Sequence, residues 1–224
     1  MDSNAQKLSQ TANISPRSGR DYIARHGETV FNAAGRLQGE HPHTPLTRAG
    51  FAQAEEMGRA LRTKLGAKPV LTLWASPTGR ALQTLAVIAE HLELDWHGAK
   101  TDSRLVEIGT GDWAGRYYAD LAAEGLKVVD RATGLLHPAP NGEHYPAIAA
   151  RVSGWLADTQ DDPGDRLVIM HGISSRVLRG VMTGAPELPG YGAPAAPGLP
   201  QGSLVLIERG QETLVHRGAG HAPA

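Results

Sequence analysis

Asp21-Tyr-Ile-Ala-Arg25-His26-Gly27-Glu28-Thr29 is the stretch that decides the fold. Tyr22, Ile23 and Ala24 form a short apolar run of strand type, and it ends abruptly in a charged side chain, a titratable one and a glycine. Ligands in open α/β sheets bind outside the carboxyl ends of the strands, so a strand ending at Arg25 delivers Arg25-His26-Gly27 to such a place. Two more segments repeat the pattern. Val70 to Ala75 reads as a buried strand that runs into Ser76-Pro77, a helix-start signal, and on to Arg80. Arg166-Leu-Val-Ile-Met170 reads as a strand that delivers His171-Gly172. Two arginines and two histidines are thereby expected at one edge of a sheet, in an arrangement suited to an anion.

The segments between these strands are helical in pattern. Thr47 can cap a helix whose apolar positions Phe51, Ala54, Gly58, Leu61 and Leu65 recur at three- and four-residue steps. Leu82, Leu85, Ala86, Ala89 and Leu92 mark the helix after Ser76-Pro77, and Ile148, Val152, Trp155 and Leu156 mark another. Ser174 to Thr183 is the helix expected after the third strand, and a short one is expected over Tyr117–Glu124. The Pro-, Gly- and Ala-rich stretch from Gly184 to Gly202 reads as an irregular loop. Ser203–Glu208 and Thr213–Arg217 read as a closing hairpin turning at Arg209-Gly210. Strands alternating with helices predict an α/β domain with helices on both faces of a mainly parallel sheet. A single domain is expected over 21–224, preceded by a disordered or extended segment over 1–20.

Composition narrows the chemistry. The chain of 224 residues is 41% hydrophobic, enough for a sizeable core, and its 22 Lys and Arg nearly balance 23 Asp and Glu. With no broad basic surface, a nucleic-acid partner is disfavoured. The absence of cysteine excludes disulfides, thiol catalysis and thiolate metal sites. The polar first twenty residues lack the apolar run of a secretory signal, and no stretch is long enough to span a bilayer. A cytoplasmic protein with no membrane partner is the expectation. His41-Pro42-His43 suggests a metal pair, but no carboxylate or third histidine lies at compatible spacing; contact with substrate at the site mouth is the other reading of the two, and neither metal nor other cofactor is expected.

At this point the residues carry a resemblance. Arg25-His26-Gly27-Glu28-Thr29 with Asn32 resembles the signature of the histidine phosphatase superfamily, the phosphoglycerate mutase-like family. The agreement continues through Gly35-Arg36-Leu37-Gln38-Gly39, Pro45-Leu46-Thr47, Gly50 and Gln53-Ala54. It resumes at Ser76-Pro77-Thr78-Gly79-Arg80-Ala81 with Gln83-Thr84, at Glu107-Ile108 with Gly111 and Trp113, and at His171-Gly172 with Arg176. The blocks stand in the family's order and cover most of the chain after residue 20.

The resemblance implies a three-layer α/β/α sandwich and a metal-free reaction on a small phosphorylated substrate. His26 would attack phosphorus in line and form a phosphohistidine that water hydrolyses. The neighbouring arginines would keep its imidazole neutral. Arg25, Arg80 and His171 would cradle the equatorial oxygens, the arginines through their planar forks. Glu107 would protonate the leaving oxygen and then activate water. Asn32, Thr29, Gln38, Gly172 and Trp113 complete the expected substrate-binding set, although Thr29 and Glu28 could simply hold the loop and Trp113 could pack the core. Gly27 would leave room beside the nucleophile.

Two features separate the family's phosphatases from its mutases. Glu107 is followed by Ile-Gly-Thr-Gly-Asp-Trp, without the basic Arg-His-Tyr-Gly segment usual in phosphoglycerate mutases. Pro140-Asn141-Gly142-Glu143-His144 resembles the Pro-Gly-Gly-Glu-Ser segment of the phosphatase branch. A phosphomonoesterase is therefore expected, with a phosphoglycerate mutase and a catalytically silent phospho-ligand binder as the alternatives. Specificity is expected in the loops 41–44, 111–141 and 185–202. The sequence leaves the oligomeric state open, a homodimer included.

Overall fold

The computed structural model of the protein describes residues 17–220. Its strands are β1 (Asp21–Arg25), β2 (Leu71–Ala75), β3 (Lys100–Thr101), β4 (Val129–Asp130), β5 (Leu135–Leu136), β6 (Asp165–Met170), β7 (Leu204–Glu208) and β8 (Gln211–His216). Its α-helices are α1 (Val30–Ala33), α2 (Arg48–Leu65), α3 (Gly79–Leu92), α4 (Tyr118–Ala123), α5 (Tyr145–Asp158) and α6 (Gly172–Met182). Six strands form one sheet in the order β3-β2-β6-β1-β7-β8, while β4 and β5 pair separately. The β3-β2-β6-β1 part is parallel, and β7 and β8 extend it antiparallel at one edge.

Strand alternation makes this a three-layer α/β/α fold. Side chains of successive strand residues point to opposite faces. Tyr22 and Ala24 of β1 and Leu167 and Ile169 of β6 enter one core, with Met57 and Leu61 of α2 and Leu85, Ile88 and Leu92 of α3. Ile23, Val168 and Met170 enter the other, with Val152, Trp155 and Leu156 of α5 and Val177 and Leu178 of α6. Helices α2 and α3 approach closely at Gly58, where a Cβ would stand 2.6 Å from the His91 ring.

The structure moves several expected details. Phe51 is 39% exposed rather than part of the buried face of α2, where Met57 is fully buried instead. Val70 lies outside β2 and is 91% exposed, because the strand begins only at Leu71. Helix α6 starts at Gly172, two residues before the expected Ser174. The closing hairpin turns at Arg209 and Gly210, both with positive φ, which matches the handed twist of a two-residue turn. The β4–β5 hairpin had no counterpart in the sequence reading.

Of the segment expected to be disordered, residues 1–16 lie outside the described residues. Arg17 belongs to the folded body: it is buried, pairs with Asp21 at 2.6 Å and donates to the Gly164 carbonyl at 2.8 Å. The boundary at residue 20 therefore falls too late. Arg166 also reaches Asp21, donates to Thr159 Oγ1 at 2.7 Å and stacks on Trp155 at 4.3 Å. Burial pushes the Asp21 carboxyl up against the opposing pull of Arg166 and Arg17, and it pushes Arg166 down. This cluster anchors the amino-terminal ends of β1 and β6. Among the described residues no helix is long and apolar enough to cross a membrane.

Register determines what meets at the opposite end. Arg25 lies beside Met170 and Ala75 beside Ile169. The His26 N–H donates to the Met170 carbonyl and the Ser76 N–H to the Ile169 carbonyl, each at 3.0 Å. The three chain segments therefore leave the sheet side by side.

Candidate active site

His26 and His171 follow directly from β1 and β6, and their rings meet edge to face with centroids 5.1 Å apart. Both are essentially buried. The His26 Nδ1 lies 2.7 Å from the Gly27 carbonyl. A carbonyl can only accept, so Nδ1 carries the proton and Nε2 keeps its lone pair. Burial, then Arg80 and Arg25, hold the His26 imidazolium well below the ordinary histidine range. A neutral imidazole with a free Nε2 is what nucleophilic attack requires.

His171 has the opposite tautomer. Arg80 Nε donates to its Nδ1 at 3.1 Å, and a guanidinium can only donate, so the proton of His171 sits on Nε2. That Nε2 is buried with no protein partner. Burial, Arg80 and His26 keep His171 neutral as well. The pair thus presents one lone pair and one unsatisfied N–H, and a phosphoryl group could engage both.

Arg80 is fully buried at the start of α3. Besides His171 it donates to the carbonyls of His41 at 2.7 Å and Gly39 at 2.6 Å, and to Thr44 Oγ1 at 2.8 Å. Four of the five guanidinium N–H groups are therefore engaged within the protein, leaving one for a ligand. The residue supplies charge and fixes the 39–44 loop more than it offers a fork. The α3 terminus is not open either, because the Gly79 N–H donates to the Pro42 carbonyl at 2.8 Å. Arg25 lies against Gly172 and donates to the Leu199 carbonyl at 2.6 Å. Burial lowers the pKa of each arginine to about 10, with Glu107 opposing the shift in both cases.

Glu107 reaches the same place from a loop. Its carboxylate accepts the N–H groups of Ile173 at 3.0 Å and Ser174 at 2.8 Å, and that of Ile108 at 2.9 Å. A carboxylate on the first turn of α6 sits where the helix dipole favours negative charge. Glu143 and Arg151 hold this loop. Glu143 accepts from Arg151 at 2.7 Å and from the Gly109 N–H at 3.3 Å, while Arg151 donates to the carbonyls of Arg104 and Glu107.

A cavity of about 220 Å³ is lined among others by Arg25, His26, Asn32, Gln38, Glu107 and Gly172, while Arg80 and His171 are fully buried and are not among its lining residues. Asn32 Oδ1 accepts from the Thr29 N–H at 3.1 Å, and the Thr29 hydroxyl donates to Gln38 Oε1 at 2.9 Å. Thr29 is thus a buried N-cap of α1 behind the cavity wall rather than a lining residue. Trp113 is also absent from the lining and packs in the core on the α5–α6 side of the sheet. Glu28 holds its loop, accepting from the Thr47 hydroxyl at 2.7 Å. The reason for Gly27 is a close backbone approach: a Cβ there would stand 2.3 Å from the Gly50 carbonyl of α2.

Several site residues escaped the sequence reading. Thr84 accepts the Gly27 N–H at 3.2 Å, Thr44 accepts from Arg80, and Gln201 lines the cavity from the 185–202 loop. Tyr118, a candidate from the sequence with Trp113 and Tyr117 for the apolar side of the entrance, lines the cavity, and burial and Glu107 push its hydroxyl up to about 12. Thr84 stood inside a matched block and could have been singled out; Gln201 has no local signal. Among the described residues no group of three or more His, Cys, Asp or Glu is placed to hold a metal.

The chain matches the model of the histidine phosphatase superfamily, branch 1, over residues 22–215. It is 34% identical over 172 residues to the "Probable phosphoglycerate mutase GpmB" of Enterobacter sp. (strain 638), covering 74% of this chain and 75% of that one. It is 31% identical over 169 residues to the adenosylcobalamin/alpha-ribazole phosphatase of Salmonella typhimurium, covering 73% and 80%. The solved alpha-ribazole phosphatase of Shigella flexneri shares the fold, with a TM-score of 0.66 at 24% identity over 89% of this chain and 96% of that chain.

Proposed function

Because the chain belongs to the histidine phosphatase superfamily, branch 1, we propose that it hydrolyses a small phosphomonoester through a phosphohistidine on His26. The observation that carries this reading is the tautomer pair, a neutral His26 with Nε2 unprotonated beside His171 with Nε2–H unpartnered. His26 Nε2 forms the N–P bond as the ester P–O bond breaks, and Glu107, having taken up the proton of the phosphomonoester monoanion, gives it to the leaving oxygen. Glu107 then takes a proton from water, whose oxygen attacks phosphorus and releases inorganic phosphate. His171 Nε2–H, Arg25 and the remaining Arg80 N–H stabilise the charge on the equatorial oxygens. Glu107 must exchange its hydrogen bonds to the α6 terminus for the leaving oxygen during the cycle.

The relative named as a mutase raises the alternative of returning the phosphoryl group to substrate. Ile108-Gly109-Thr110 after Glu107 lacks the basic element on which that reading would rest. A cytoplasmic location and action without a metal cofactor or nucleic-acid partner belong to the same proposal. The test is phosphate release from 4-nitrophenyl phosphate in the presence of chelator, comparing wild type with His26→Ala. Turnover that resists chelator and disappears in the variant is expected. Release abolished by chelator, or unchanged in His26→Ala, would overturn the mechanism, and conversion of 3-phosphoglycerate without phosphate release would replace it with the mutase.

A further inference from the structure

Arg36 lines the cavity that contains Arg25 and His26, yet the chemistry above makes no use of it. Its backbone is clamped: Arg36 bridges Tyr117, the Leu37 N–H donates to the Arg116 carbonyl at 2.9 Å, and the Tyr118 N–H donates to the Gly35 carbonyl at 3.0 Å. Its side chain is held as firmly. Nε donates to the Gly115 carbonyl at 2.7 Å, and the guanidinium carbon lies 4.5 Å from the centre of the Phe31 ring and 5.0 Å from that of Tyr117. Among the described residues, neither Nη of Arg36 has a hydrogen-bond partner and no carboxylate pairs with it. Arg104, Arg151 and Arg179, by contrast, all meet carboxylates.

A second donor, the exposed His41, stands beside Arg36 outside the lining of the cavity. The His41 ring packs edge to face on Phe31 at 5.9 Å. Gly115, at φ +75, leaves open the point where a Cβ would stand, 3.5 Å from Arg36 Nη2 and 3.7 Å from His41 Nε2. A small group at that point touches both. Two aromatic rings already pack on the guanidinium, so its hydrogen-bonding edge is the part left for a ligand. A pre-oriented fork of this kind matches an oxyanion.

We propose that Arg36, with His41 across Gly115, forms a second oxyanion subsite at the cavity mouth, so that the preferred substrates are phosphomonoesters whose alcohol portion carries a carboxylate or a second phosphate. The inference rests on the assignment of the reacting phosphoryl group to His26. Arg36 shares the wall of the cavity of about 220 Å³ with Arg25 and His26, so a substrate held at both ends is a small one.

The test compares matched substrates by phosphate release. Glycerol 3-phosphate and 3-phosphoglycerate differ in whether the far end is a hydroxymethyl group or a carboxylate, and propane-1,3-diol bisphosphate carries a second phosphate there. Wild type is expected to favour one of the two doubly anionic compounds over glycerol 3-phosphate by roughly 10–100-fold in kcat/KM, the range of a charge-assisted hydrogen bond. Which compound wins tells carboxylate from phosphate. In Arg36→Met that ratio is expected to collapse towards one, and in Arg36→Lys to fall only part of the way. Gly115→Asp, which puts a carboxylate beside Arg36 and His41, is expected to lower the ratio too and serves if Arg36→Met does not fold. A wild-type ratio near one, or a ratio unchanged in both Arg36→Met and Gly115→Asp, overturns the subsite. If wild type releases phosphate from none of these compounds or from 4-nitrophenyl phosphate, the assignment to His26 fails instead. Calorimetric binding of 3-phosphoglycerate against glycerol 3-phosphate, in wild type and Arg36→Met, then decides the subsite by the same ratio.

Discussion

Acidification should destabilise this protein through its two site histidines before the carboxylates begin to titrate. His26 and His171 are buried beside Arg80 and Arg25, and both are held neutral well below the ordinary histidine range. In the unfolded chain each returns to a pKa of about 6.5. As pH falls below that value the unfolded state takes up two protons that the folded state does not, so the equilibrium shifts towards unfolding. The effect is absent at alkaline pH, grows as pH drops through 6.5, and levels off only beneath the depressed folded values. Between pH 7 and 5.5 each histidine costs on the order of 1 kcal/mol, and the pair about twice that. Urea unfolding followed by far-ultraviolet circular dichroism at pH 7, 6.5, 6 and 5.5 reads this as a midpoint lower by about 1 M. His26→Asn and His171→Asn each remove one titrating group, so each variant should lose about half of the pH dependence whatever its stability at pH 7. Curves for both variants running parallel to wild type would refute the assignment of neutral, buried imidazoles. The consequence for catalysis has the same sign: the nucleophile stays unprotonated below the ordinary histidine range, and its activity is lost only when pH falls to the depressed value.

Two further outcomes follow from other parts of the molecule. Glu143→Ala removes the acceptor of Arg151 and of the Gly109 N–H, loosening the loop that carries Glu107; kcat for 4-nitrophenyl phosphate is expected to fall by about tenfold or more with KM little changed, and Glu143→Gln to recover part of it. Asp21→Ala leaves Arg17 and Arg166 buried without their shared carboxylate, which should cost about 3–5 kcal/mol and lower Tm by roughly 6–20 °C in calorimetry, with the activity of the remaining folded molecules retained.

The fold was legible because its instructions are local. The apolar runs of β1, β2 and β6 and the three- and four-residue steps of α2, α3 and α5 are short-range patterns, and each ends in Gly, Pro or a polar side chain. Where the sequence reading slipped, tertiary packing had decided between residues of similar hydrophobicity. Phe51 and Met57 both fit the periodicity of α2, but at the turn of Phe51 the buried positions belong to Gly50, Gln53 and Ala54, which leaves Phe51 on the outer side. The β4–β5 hairpin was missed because two-residue strands carry no period, and this one is held by Asp130 hydrogen bonds across its turn. Arg17 looked like part of a polar tail because its partners, Asp21 apart, come from residues 162–164, far along the chain.

By itself, the sequence determined that Arg25 and His26, His171, and Arg80 leave the carboxyl ends of separate strands of one α/β sheet. Strand periodicity and the residue types that end each strand are properties of short segments, and they survive without knowledge of the partner. Only the tertiary structure decided what those groups are chemically. The parallel register of β1 on β6 set the two imidazoles edge to face; the Gly27 carbonyl and Arg80 Nε gave them opposite tautomers; and the 39–44 loop engaged most of the Arg80 fork. It also held Arg36 by Nε and its two ring contacts, with no carboxylate paired to its Nη groups among the described residues, and moved Trp113 out of the cavity lining. Protonation state and hydrogen-bond occupancy depend on which distant atoms stand within about 3 Å, and that is set by packing between segments, which no local pattern encodes.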